Sequence, residues 1–371
     1  MVAGAHEGET ADAGPAPDAG QGGDEGMGGG APVAPGAAPG SGRAGAGGGA
    51  PCACAVVAVP IEIPIATARP PRAITVRIDL SIFSNRPFVG GASLVEAGRR
   101  AIRYAREVQL QTADDVWARI EALAREHPGG VVATDGDGTL WSGDVGEDLF
   151  HAFLDRGRVE PQAVEALSSI ARAHDLSDAG KGSDIARRIY GAYLEGAYPE
   201  ERTCELMTWC FAGWTRDEVQ AFAGEVVARG NLSGRLHGEV HAVLARAQAA
   251  GIERVLVSAS PFAVVKEAGA RVGFDASRVV AALPRFDGER MLAGVEAPIP
   301  YGEGKMHRLR ERVGAERRIY ASFGDNGFDV ALLSGADVPV AVRPKAKLRA
   351  RAAEVPGLVE LVPAPRQREG G

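Results

Sequence analysis

The run "VVATDGDGTLW" at residues 131–141 ends on two carboxylates, Asp135 and Asp137, each followed by a glycine. A β-branched stretch rarely closes on like charges two residues apart unless something positive sits between them. Three chemistries fit such a pair: a tight turn, a calcium loop, or a nucleophile with an acid/base partner. An EF-hand loop needs Gly at its sixth position and Glu at its twelfth. Here those positions hold Leu140 and Gly146, so the calcium loop is excluded. Asp-Gly is good turn chemistry. The turn and the nucleophile both stay open on these residues alone.

Three later groups carry similar potential. Ser258 follows "RVLV", Lys305 sits in "YGEGKM", and Asp325 and Asp329 lie in "FGDNGFD". Singly, each has a plain reading: Ser258 caps a helix, Lys305 is a solvated surface lysine, and Asp325 makes an Asp-Asn turn. Together they follow successive strand patterns, where open α/β sheets build their ligand crevice.

The elements that must position them are legible from residue 112 onward. "TADDVWARIEALAREH" opens on a Thr112/Asp115 cap and spaces Val116, Ile120 and Leu123 at helical intervals. A buried strand follows at 131–134. About a hundred residues then show only helical signals, in "GEDLFHAFLDRG", "PQAVEALSSIARAHDL", "DIARRIYGAYLEGAY", "EERTCELMTWCFAGW" and "RDEVQAFAGEVVARG". Strand patterns return at 253–260, 317–323 and 338–342, alternating with helical ones at 236–250, 262–272, 304–313 and after 326. A hairpin is expected within 279–296, turning at Asp287-Gly288. This alternation predicts a doubly wound parallel sheet, with an all-helical subdomain at 146–235 inserted after its first strand. Residues 111–145 and 236–365 would form the core.

Residues 1–72 read as a low-complexity, disordered tail of Gly, Ala, Pro and acidic residues. Residues 73–110 are ambiguous. "ITVRIDLSI" (74–82) alternates at strand period and 93–108 reads as a helix, with no clear tie to the main fold. The chain of 371 residues is 45% apolar and 24% charged, with a net charge of −7. Its first fifty residues hold Glu7, Glu9, Asp12, Asp18, Asp24 and Glu25 against Arg43 alone, which is −5 of that total. The rest, at −2, offers no large basic face, so no nucleic-acid partner is expected. Cys52, Cys54, Cys204 and Cys210 make no zinc-type set and read as free thiols. No apolar run of ~18 residues or more predicts a membrane span, and the start lacks the pattern of a signal peptide. A cytoplasmic location is the resulting expectation. Nothing in the sequence addresses oligomeric state.

As a set, "DGDGT" at 135–139, Ser258, Lys305 and "GDNGFD" at 324–329 resemble, in order, the four motifs of the haloacid dehalogenase superfamily of phosphohydrolases. The helical insertion resembles that superfamily's cap, placed as in its phosphoserine phosphatase-like branch, and the likeness runs over roughly 113–365. It implies a Rossmann-like core and a small phosphate monoester as substrate. Asp135 would attack phosphorus and form an aspartyl-phosphate, and Asp137 would protonate the leaving oxygen and later activate water. Mg²⁺ would be the cofactor, held by Asp135, the Asp137 carbonyl and Asp325, with Asp329 behind them. Ser258 and Lys305 would hold the phosphate, and Thr139 would fix the turn. The same aspartyl-phosphate would also serve a phosphotransferase, and a non-catalytic phospho-ligand binder is a third reading.

In that branch a Glu nine residues past the nucleophile binds the substrate ammonium. Here the position is Asp144, with Glu147 close by. Phosphoserine and amino- or choline-bearing monoesters therefore remain open as substrates. Trp141, Tyr190, Tyr193, Trp209 and Trp214 either pack a small helical core or form an aromatic box for an ammonium group. Arg187 and Arg188 either meet a substrate carboxylate or lie on the surface.

Overall fold

The computed structural model describes residues 103–104 and 108–364. The expected tail at 1–72, the alternating segment 74–82, Cys52 and Cys54 lie outside the described residues. Of the expected helix at 93–108, only Arg103, Tyr104 and Val108 are described.

In chain order, β1 (Gln109–Gln111) leads into α1 (Ala113–Glu126) and β2 (Val131–Thr134). The insertion follows as α2 (Val145–Arg156), α3 (Pro161–Ala173), α4 (Gly182–Leu194), α5 (Glu200–Trp209) and α6 (Arg216–Arg229). The chain returns through α7 (Gly238–Ala249), β3 (Glu253–Pro261), α8 (Phe262–Arg271) and β4 (Val279–Ala282). Next come β5 (Pro284–Asp287), β6 (Arg290–Val295), α9 (Glu303–Val313), β7 (Ile319–Gly324) and α10 (Val330–Ser334). β8 (Val338–Ala341), α11 (Ala346–Arg351) and β9 (Val359–Leu361) complete the described elements.

Seven strands pair in the order β1-β9-β8-β7-β2-β3-β4, and every pairing is parallel. A parallel sheet needs helices on both faces, so its strands are apolar throughout. β2, "VVAT", is buried at all four positions. Side chains alternate between the faces. Val131, Ala133, Val255 and Val257 pack with Leu309 and Leu332 on one side. Val132 and Leu256 join Val116, Ile120, Val240 and Leu244 in the other cluster. That second cluster runs on without a break into the inserted helices, through Phe153, Phe211, Trp214 and Phe222.

Local signals set several helix starts. Thr112 and Asp115 form the expected capping box of α1, and Thr215 and Glu218 do the same for α6. Asp144 caps α2 by accepting the Glu147 N–H at 2.9 Å.

The two strands of chain that enter and leave the insertion are tied together. Ser142 N–H donates to the Arg235 carbonyl at 2.8 Å, and His237 N–H donates to the Leu140 carbonyl at 3.1 Å. The expected hairpin at 279–296 divides in two. Val279–Ala282 joins the main sheet beside β3, while β5 and β6 pair antiparallel through a Gly288–Glu289 turn with Gly288 at positive φ. The hairpin was expected with the core, yet it docks on the inserted helices. Gly213 N–H donates to the Met291 carbonyl, Met291 N–H to the Trp214 carbonyl, and Arg216 N–H to the Glu289 carbonyl. The Arg216 guanidinium lies 3.8 Å from the centre of the Phe286 ring. A short edge strand gains backbone partners this way, which spacing along the chain does not foretell. β1, α11 and β9 were also not expected; each is six residues or shorter.

Close backbone approach fixes the start of α9. A Cβ on Gly304 would overlap the carbonyl oxygen of Ile299. Gly304→Ala should therefore destabilise the fold by about 1–3 kcal/mol, despite alanine's better helix propensity. Urea unfolding measures this, and a loss below about 0.5 kcal/mol would show that the 299–304 turn yields freely.

Candidate active site

β2, β3 and β7 are neighbours in the sheet, so the residues at their carboxyl ends share one rim. Asp135 follows β2, Ser258 lies near the end of β3, and Asp325 follows β7. Lys305 enters from the first turn of α9. The rim opens into a cavity of ≈310 Å³ under the inserted helices. A pocket of this size sits at the small end of the range for ligand sites.

Asp135 is 2% exposed and Lys305 is fully buried. The lysine Nζ donates to Asp135 Oδ1 at 2.5 Å and to Asp329 Oδ1 at 2.5 Å. Burial opposes the ammonium charge, and Asp135 and Asp329 more than offset it, holding Lys305 above its ordinary range. Thr139 Oγ1 donates to Asp135 Oδ2 at 2.9 Å. Thr139 thus touches the candidate nucleophile itself. Burial pushes the Asp135 carboxyl well above the usual range; Lys305 pulls it back, while Asp329 and Asp325 add to the rise.

Asp137 is held differently. Its Oδ1 accepts from Trp141 Nε1 at 2.8 Å and from the Val145 N–H at 2.7 Å. Its Oδ2 accepts from Ser260 Oγ at 2.8 Å and Ser258 Oγ at 3.2 Å. Trp141, open between packing and a place beside a ligand, is fully buried, and its indole N–H finds an internal acceptor in Asp137. Ser260 was missed, although it lies two residues past Ser258 on the same strand and so faces the same way.

Asp135, Asp325 and Asp329 bring carboxylate oxygens within 4.8 Å of one another. Asp325 Oδ1 is buried and has no hydrogen-bond partner, while its Oδ2 meets Lys345 Nζ at 2.8 Å. Both oxygens of Asp329 are engaged: Oδ1 by Lys305, and Oδ2 by the N–H groups of Asp325 and Asn326 at 3.0 and 2.8 Å. An all-oxygen set with one orphaned, buried acceptor suits a hard dication such as Mg²⁺. Asp325 would offer it the free oxygen, while the oxygens of Asp135 and Asp329 already accept from Lys305, Thr139 and main-chain N–H groups. Burial, reinforced by Asp329, pushes Asp325 up to about 6. Gly138, at φ +84°, lies so near that a Cβ would overlap the Asp325 carboxylate.

The wall of the cavity away from these groups is acidic. Asp144, Glu147 and Glu200 line it with Tyr193, Thr203, Cys204 and Met207, and no arginine is among the lining residues. Tyr190 Oη donates to Glu147 at 2.9 Å. Burial first, and then the neighbouring Asp137 and Glu147, raise the Asp144 carboxyl well above its usual range. Trp209 and Trp214 are buried in the helical core, so they form no box around a ligand. Arg187 and Arg188 lie elsewhere: Arg187 pairs with Asp155, and Arg188 donates to the Ser177 and Ala179 carbonyls. Lys345, which lines the cavity, was not foreseen. It follows β8, and the rule that strand ends build the crevice applies to β8 as well.

Among solved structures, a Bordetella pertussis Tohama I protein of unknown function is 22% identical, covering 62% of this chain and 97% of that one, with a TM-score of 0.47. A HAD-family hydrolase from Salmonella enterica serovar Typhi is 15% identical over 63% of this chain and 73% of its own, with a TM-score of 0.40. A substrate-bound phosphoserine phosphatase is 12% identical over 62% of this chain and 92% of its own, with a TM-score of 0.39. No match was found among curated proteins. Among the described residues no helix is long and apolar enough to cross a membrane. The sequence profile of the haloacid dehalogenase-like hydrolases matches residues 132–334, a span from β2 to α10 that takes in the rim residues and covers more than half of the 371 residues. The chain belongs to the haloacid dehalogenase-like hydrolase family.

Proposed function

We propose that the protein is a Mg²⁺-dependent phosphatase that hydrolyses a small phosphate monoester through an aspartyl-phosphate on Asp135. One observation carries this reading. Two carboxylates from a single turn face one cavity, one paired with a buried lysine and the other ringed by hydrogen-bond donors.

That difference in surroundings divides the labour. Asp135 is fixed by Lys305 and Thr139, and its carboxylate attacks phosphorus as the bond to the leaving oxygen breaks. Asp137 supplies the proton for that oxygen. Its Oδ1 is taken by two N–H groups, which only donate, so the proton must sit on Oδ2. There the partners are the hydroxyls of Ser258 and Ser260, which can turn from donor to acceptor. In the second half Oδ2 takes a proton from water, whose oxygen attacks phosphorus and frees Asp135. Lys305 opposes the charge that builds on the phosphoryl group throughout. Asp135, the Asp137 main chain and Asp325 would hold Mg²⁺, which when bound screens the carboxylates from the phosphate and orients its oxygens.

The acidic wall supports an alcohol that carries an amine and no carboxylate. Among the described residues neither Asp144 nor Glu147 makes a salt bridge; each has one oxygen engaged, by the Glu147 N–H and the Tyr190 hydroxyl, so an ammonium group would meet the other oxygen of each. A carboxylate on the substrate would meet Glu200 and Glu147, and the cation among the lining residues, Lys345, is already paired with Asp325. This disfavours phosphoserine and favours phosphoethanolamine-like esters.

Released phosphate from a panel of monoesters tests the reading. Phosphoethanolamine should exceed phosphoserine in kcat/KM by about tenfold or more. Asp135→Asn should abolish turnover, and Asp137→Asn should lower it by about 10²–10⁴-fold. Turnover that survives Asp135→Asn would sink the proposed intermediate.

The pH dependence of stability checks the cation site separately. The folded pKa of Asp325, about 6, lies above the unfolded value of ~4. The fold therefore holds this proton more tightly, and that contribution is lost as pH rises from ~4 through ~6. Without metal, the wild type should lose melting temperature relative to Asp325→Asn across that window. Added Mg²⁺ should raise the wild-type melting temperature more at pH 7 than at pH 5, since the proton and the cation compete. A Mg²⁺ shift that is flat with pH would remove Asp325 from the cation site.

A further inference from the structure

Lys345 is out of place in a site that already has Lys305. Its Nζ lies 2.8 Å from Asp325 Oδ2, on the carboxylate whose other oxygen is buried and unpartnered. The two lysines differ in freedom. Lys305 is fully buried between Asp135 and Asp329, whereas the Lys345 side chain is 54% exposed and lines the cavity. Its main chain is tied down, because the Lys345 N–H donates to the Asp325 carbonyl at 2.7 Å. Any movement therefore belongs to the side chain.

Competition for one carboxylate decides what that movement does. A divalent cation on Asp325 and the Lys345 ammonium on the same carboxylate would be two positive charges within a few ångströms, and they repel. Lys305 is enclosed and cannot yield, whereas Lys345 is half exposed and has a route out. We propose that Lys345 is a placeholder cation, sealing Asp325 while the site holds no metal and swinging into the cavity toward the substrate phosphate when a divalent cation takes its place.

The first half of this inference concerns the metal alone; the second rests on the phosphatase reading. Calorimetric titration of the full chain with MgCl₂ tests the first half. Lys345→Met should bind Mg²⁺ about five- to tenfold more tightly than wild type, since nothing has to be displaced. Lys345→Arg, which keeps the charge, should stay near wild type. Lys345→Gln, whose side chain is polar, repeats the measurement should the Met variant fold poorly. Titration with inorganic phosphate at saturating Mg²⁺ tests the second half, and there the Met variant should bind about five- to tenfold more weakly. Equal or weaker Mg²⁺ binding by both neutral variants would overturn the placeholder, because a lysine that merely positions Asp325 predicts that loss. If wild type hydrolyses monoesters while the neutral variants bind Mg²⁺ no better, Lys345 falls and the phosphatase stands. If wild type neither binds Mg²⁺ nor hydrolyses any ester, both fall.

Discussion

The contact on which the rest depends is the buried ammonium of Lys305, held by Asp135 and Asp329. A charge with no access to water survives only when its partners are close and already in position. Those partners come from two different strand ends, and the lysine from a third segment. The Ile299–Gly304 turn must bring α9 in tightly enough for Nζ to reach both. The parallel sheet, with the carboxyl end of β2 paired beside that of β7, sets the distance between the acids. Such a group adds little net stability compared with apolar packing of the same volume. Its retention makes sense only if the charges themselves are used.

The neighbouring Asp137 shows how two identical side chains, two residues apart, are made unlike. Asp135 faces a cation and sits in a dry environment, which suits attack on phosphorus. Asp137 sits among an indole, a helix N–H and two hydroxyls, which suits carrying a proton on one defined oxygen. The helix that donates the Val145 N–H is the first helix of the insertion, so the inserted segment begins by gripping the Asp137 carboxylate.

Much of this was readable from the chain. The "VVAT" strand, the Thr112/Asp115 cap and the order of Asp135, Ser258, Lys305 and Asp325 depend on local pattern, and local pattern is what a sequence displays. Trp141 stayed open between two readings because an indole near a motif says nothing about where its N–H will find an acceptor. Lys345 and Ser260 gave weaker signals that the strand-end rule and the two-residue period did contain. The docking of β5 and β6 on the inserted helices left no trace in spacing, since it arises from backbone groups that every sequence carries. The acidic wall needed the fold as well, because Glu200 lies on a helix far along the chain from Asp144.

That docking has a further consequence. The inserted helices meet the core at the paired strands around Ser142 and Arg235, again where Gln220 of α6 donates to Glu267 of α8 at 2.6 Å, and through one apolar cluster that spans both. They also carry the β5–β6 hairpin, whose base is closed by Glu296 N–H donating to the Leu283 carbonyl, well after the insertion ends. The inserted helices therefore cannot be lifted out or exchanged as one continuous stretch of sequence.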